Sequence, residues 1–183
     1  MNNLNNGQGS FGYHGEVTIK LKQGKYVHTI PATHNHGLSY LFESLCKLFA
    51  GEIEPKALVP ARVALYSFKS EAKSADDWVD LVHNDNIAAA STLHPIYEKK
   101  VTTVENSPKA VLQGKIQFGS ISSNQVNAMA LFPITASSST DFSRALAFYK
   151  FVDSDGNLAP ISIDRTSLDD SFIFEWQMDF SNK

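Results

Sequence analysis

Every second residue from Phe172 to Phe180 is large and apolar: Phe172, Phe174, Trp176, Met178 and Phe180. Glu175, Gln177 and Asp179 stand on the opposite side. A repeat of two is that of an extended strand with one face buried, whereas a helix would scatter these side chains around its circumference. The chain must therefore build a sheet whose inner face accepts five bulky groups in a row.

The rest of the second half reads the same way. Candidate strands cover about 96–105, 110–118, 126–132, 145–152, 158–163 and 172–180. Asn106-Ser107-Pro108, Ser120 to Asn124, Ser137 to Thr140 and Ser154-Asp155-Gly156-Asn157 separate them as turns. Upstream, Val17, Ile19 and Leu21 alternate with Glu16, Thr18, Lys20 and Lys22. Gln23-Gly24 then predicts a two-residue turn into a second strand, pairing Leu21 with Tyr26, Ile19 with His28 and Val17 with Ile30. That register puts His28 on the apolar face. Pro31 is expected to end the pairing, since it has no N–H to give.

One segment changes period. Leu38, Leu41, Phe42, Leu45, Leu48 and Phe49 follow helical spacing. Asn35 is expected near its start as a cap, and Gly51 just past its end, so the helix spans about 37–50. A strand, ARVALYSF, follows. Asp76 and Asp77 before Trp78 suggest a short helix, and Asn84-Asp85-Asn86 a turn. The expectation is a mainly β chain: a β-sandwich of about eight or nine strands with one amphipathic helix in the N-terminal third. Residues 1–12, rich in Asn and Gly, form a flexible arm, and 13–183 a single domain.

Composition excludes several classes. Of 183 residues, 43% are apolar and 19% charged, so the chain can bury a core. The net charge of −3 offers no basic excess to draw the chain onto nucleic acid. No apolar run is long enough for a membrane-spanning helix, and MNNLNNGQGS lacks the plan of a signal peptide. The single cysteine, Cys46, forms neither an internal disulfide nor a thiolate cluster. It borders the helical stripe and reads as a structural thiol.

Motifs that carry chemistry elsewhere lack their context here. Gly7, Gly9 and Gly12 spell G-x-G-x-x-G, but no strand precedes them and no helix follows. His34-Asn35-His36 lacks a third ligand at metal spacing and reads as a strand-to-helix corner. Asp153, Asp155 and Gly156 fail the calcium-loop register, because positions one and twelve would be Phe151 and Ser162. No nucleophile, base and orienting group occur together, so neither catalysis nor a cofactor nor a metal is expected.

Charge is uneven. Residues 153–183 hold two cations against seven carboxylates, a net of −5, while residues 1–152 carry +2. The aromatic final strand is thus acidic, which argues against a single-stranded nucleic-acid platform. A contact between this acidic end and the Lys20, Lys22 and Lys25 ribbon of a neighbouring copy would run head to tail, the geometry that closes rings.

The block GEVTIKLKQGKYVHTIPATHNHG, LSYLFESLCKLFAGE, ARVALYSF resembles small structural proteins of tailed bacteriophages, including tail, neck and ring components of crAss-like phages. The resemblance covers roughly residues 15–70. It implies a virion structural protein, made in the host bacterial cytoplasm, that assembles with copies of itself and other virion proteins into a ring or collar. The expected contacts are Phe11 and Tyr13 of the arm, Lys20, Lys22 and Lys25, and Asp169, Asp170 and Asp179. The competing expectation is a receptor- or glycan-binding sandwich at the tail tip or capsid surface, with Trp78 or Trp176 stacking on sugar.

Overall fold

The computed structural model describes residues 14–69, 87–104, 107–153, 155, 159–167 and 169–179. The expected arm, with Phe11 and Tyr13, lies outside them, as do Asp76, Asp77, Trp78 and Asn84-Asp85-Asn86.

The described residues form twelve strands: β1 (His14–Gln23), β2 (Tyr26–Gly37), β3 (Pro60–Phe68), β4 (Ile87–Ala90), β5 (His94–Pro95), β6 (Glu98–Val104), β7 (Ser107–Gln117), β8 (Gln125–Val126), β9 (Ala128–Pro133), β10 (Ala147–Lys150), β11 (Ile161–Ser162) and β12 (Ser171–Asp179). Among the described residues there is one α-helix, α1 (Ser39–Phe49), which follows β2. The chain is mainly β, as the period-two segments require. Its main ladder runs β4-β3-β9-β10-β2-β1-β12-β7-β6, antiparallel throughout, with β5 on β3. β8 and β11 form a separate pair.

β2 is the joint. It pairs with β1 from Tyr26 to Asn35, then hands over to β10 at His36 and Gly37. The two halves of the ladder face each other across one core, giving a sandwich-like arrangement. Val17, Ile19, Leu112, Phe174 and Trp176 meet Val63, Leu65, Met129, Leu131 and Tyr149 there. Phe172, Phe174, Trp176 and Met178 all point inward.

Pro31 does not end β2. Val17 pairs with Thr33 and Ile19 with Ile30, so β2 carries one extra residue opposite Thr18. A proline sits in such a bulge without costing a ladder bond. The turn also moves: Gln23 pairs with Tyr26, leaving Gly24-Lys25 as the loop, and Leu21 pairs with His28. Gly24 takes a positive φ of 57, which a glycine adopts without steric cost. The β6–β7 turn likewise moves back, because Ser107 and Pro108 already belong to β7.

Asn35 is not a helix cap. It lies in β2 opposite Gly15, and the residue at the cap position is Leu38, without a side-chain cap. α1 is instead seated through its backbone, with the Leu38 N–H donating to the Leu146 carbonyl at 2.9 Å.

The β3–β9 half is buried on both faces. Odd residues of these strands face the main core; Ala64, Tyr66, Phe68, Ala130 and Phe132 face a second cluster with Ala136, Ala145 and Phe148. The 134–146 loop closes this cluster. Tyr66 donates its hydroxyl to the Ser139 carbonyl at 2.6 Å, and Arg62 donates to the Ala136 carbonyl at 3.1 Å. Burial pushes the Tyr66 hydroxyl well above the usual range. Such a strand cannot alternate polar with apolar residues, which is why ARVALYSF does not.

Candidate assembly surface

The β1–β2 hairpin extends past the core it starts from. Leu21 is the last buried residue of β1; Gln23 to Thr29 are all exposed. Tyr26 is 83% exposed and Val27 57%. His28, expected on an apolar face, is exposed too, because the core does not reach this far along β2. Among the described residues, nothing pairs with the outer edge of Tyr26–Ile30, since β10 meets β2 only at His36 and Gly37. An uncovered strand edge offers a row of N–H and C=O groups to another chain.

The tip is held from below. The Gly24 N–H donates to Asp170 Oδ1 at 2.7 Å, across 146 residues of sequence. Asp170 itself is 6% exposed, and its carbonyl accepts the Phe118 N–H at 2.9 Å. The carboxylate therefore fixes the turn from inside the chain.

Lys20 and Lys25 are exposed and Lys22 half-buried. Lys20 stands between Thr29 and Ile173 on the outer face of the sheet. The nearby Glu175 is already occupied: Oε2 accepts from Gln113 at 2.6 Å and Oε1 from Gln177 at 3.0 Å. Among the described residues, none of these three lysines is in an ion pair.

The expected acidic partners are rearranged. Asp170 is taken by Gly24, and Asp179, 9% exposed, lies 3.9 Å from Lys109. Only Asp169 of the three is exposed. The outward carboxylates lie instead on the loops before β12: Asp153, Asp155, Asp164 and Asp169. Asp155 N–H donates to Asp153 Oδ1 at 2.9 Å, a turn bond of the kind the Asp-Gly-Asn signal implies. The Thr166 hydroxyl (2.6 Å) and N–H (3.0 Å) donate to Asp164 Oδ1 and hold that carboxyl below its usual range. The Asp164 carboxylate therefore keeps its charge to lower pH than an ordinary one.

α1 presents a second exposed apolar feature. Leu41 and Ser44 are buried and Tyr40 and Leu45 pack on the core. Phe42, Cys46 and Phe49, spaced four and three apart, are exposed, with Phe49 at 83%. Cys46 therefore does not border the core as its place in the helical run implies; the stripe is wider than the core that receives it.

Among the described residues, no group of three His, Cys, Asp or Glu side chains comes together, and no helix is long and apolar enough to cross a membrane. Trp176 is fully buried, so it is no stacking platform. Sequence reasoning missed Asp170 as the clamp of the hairpin, and no local signal marks it, because its partner is 146 residues away. No family model matches the chain, and no curated protein or solved structure matches it.

Proposed function

We propose that this chain is an assembly subunit, a virion structural protein that forms a homo-oligomeric ring or collar in the tail or neck of a tailed bacteriophage. The observation that carries the reading is the uncovered edge of Tyr26–Ile30. Among the described residues it combines a backbone edge with no strand beside it, two exposed apolar side chains and flanking lysines without ion pairs. A monomer that keeps such an edge is prone to pair with other chains, and a subunit uses it to pair with its neighbour.

Charge supplies the direction. The basic hairpin of one copy faces the loop carboxylates Asp153, Asp155, Asp164 and Asp169 of the next, a head-to-tail contact. The phage assignment rests on the resemblance of residues 15–70. In that setting the chain is made in the host cytoplasm, joins other virion proteins, and performs no catalysis.

Light scattering on the native protein at several concentrations and two salt levels tests the reading. A discrete oligomer that loosens with salt is expected. A strict monomer throughout that never copurifies with particles overturns it.

A further inference from the structure

We propose that the depression around Tyr97 is a binding site for a saccharide that carries a carboxylate. β6 begins opposite Gln113, so β7 runs on from Gly114 to Gln117 without a β6 neighbour. The chain leaves that edge and crosses to β5, on the facing half of the sandwich. The gap it leaves is an open depression of about 360 Å³, lined by His94, Tyr97, Lys115, Ile116, Gln117 and Ser120. That volume lies at the lower end of the roughly 300–1,000 Å³ of small-molecule sites.

The lining has a buried floor of one aliphatic and one imidazole side chain, and an exposed polar rim. Ile116 is 1% and His94 8% exposed. Tyr97 is 69% exposed, yet its backbone is fixed by its N–H bond to the Gln113 carbonyl at 3.0 Å. An exposed ring on a fixed backbone offers a flat face to the C–H side of a pyranose and a hydroxyl at its tip. Gln117 and Ser120 are exposed. The Ser120 hydroxyl gives its proton to the Gln117 carbonyl at 2.7 Å, which leaves its oxygen free to accept. Lys115 is exposed, and among the described residues it is in no ion pair.

An aromatic face, a carboxamide, an accepting hydroxyl and one lysine suit a ring bearing several hydroxyls and one negative charge. A shallow open site binds such a ligand weakly. In the ring proposed above, many copies would act together, and avidity would turn weak sites into a firm attachment. That gain rests on the assembly reading; the site itself does not.

Saturation-transfer NMR on the full chain, with digalacturonate and its methyl ester as probes, separates the two ideas, because it reads each site whatever the oligomer. Digalacturonate is expected to receive saturation, and Tyr97→Ala to abolish it. Lys115→Gln is expected to weaken binding about five-fold, the scale of an exposed ion pair. Both side chains are exposed, so both variants keep the parent's melting temperature. No transfer to either probe, or transfer unchanged by Tyr97→Ala, overturns the site. An equal response from the methyl ester overturns its preference for a carboxylate.

Discussion

The ring of Phe174 lies against the backbone of Gly114, its direct cross-strand partner. A Cβ at Gly114 would overlap Cζ and Cε1 of that ring. Phe174 is 1% exposed and packed among Ile19, Trp176 and Leu112, so it has nowhere to retreat. Gly114→Ala is therefore expected to destabilise the fold by about 1–3 kcal/mol, the usual cost of overpacking. Denaturant titration measures it. Gly114→Ala combined with Phe174→Leu is expected to cost less than the sum of the single changes, because the smaller side chain removes the clash. Strict additivity would mean that the ring does not set the glycine requirement.

Asn127 acts as a short piece of strand. Its Oδ1 accepts the Phe68 N–H and its Nδ2 donates to the Phe68 carbonyl, each at 2.8 Å, with the side chain 4% exposed. Its backbone also bonds to Tyr66 and Phe151. Asn127→Ala removes both of these buried side-chain bonds to the Phe68 backbone, a loss of about 2–4 kcal/mol. A loss below 0.5 kcal/mol would show that water replaces both bonds.

The Asp170–Gly24 bond ties the hairpin turn to the start of β12. Asp170→Ala is expected to lower stability by about 1.5–3 kcal/mol, the range for a bond to a charged acceptor. It is also expected to speed limited proteolysis at Gly24-Lys25. If cleavage there is unchanged while global stability falls, the carboxylate serves β12 alone and does not hold the tip.

His94 gives the fold a pH dependence. It is mostly buried, its Nε2 has no hydrogen-bond partner among the described residues, and desolvation lowers its pKa from the ordinary 6.5. The unfolded chain therefore binds this proton more tightly. The stability it supports is present above about pH 6.5 and falls as pH drops toward the lowered folded value. The slope is at most about 1.4 kcal/mol per pH unit. Stability of the parent and of His94→Gln, compared from pH 7.5 downward, isolates this contribution. Parallel curves would assign the acid sensitivity to other groups.

The local patterns were legible where one force dominates. Alternation fixed β1 and β12, and helical spacing fixed α1 to within two residues at its start. The hairpin register was misplaced because Gln23-Gly24 and Gly24-Lys25 are both acceptable turns, and the choice falls to the Asp170 bond from far away in sequence. Pro31 misled because a bulge tolerates the missing N–H that a regular ladder does not. Which helical residues stay exposed depends on how far the core extends, so spacing alone puts Phe42 and Phe49 on the stripe and Cys46 at its border, whereas all three are exposed. Gly114 could have been found: a lone glycine inside a strand pattern marks a close approach. The Tyr97 depression has no sequence signature, because β5, β6 and β7 meet there only through the fold.

Hydrogen exchange on the full chain, below and above the concentration at which it associates, tests the assembly edge most directly. The account predicts that association slows exchange in Tyr26–Ile30, while the already paired amides of β7 and β12 stay as they were. An oligomer that leaves Tyr26–Ile30 exchanging at the monomer's rate would contradict it.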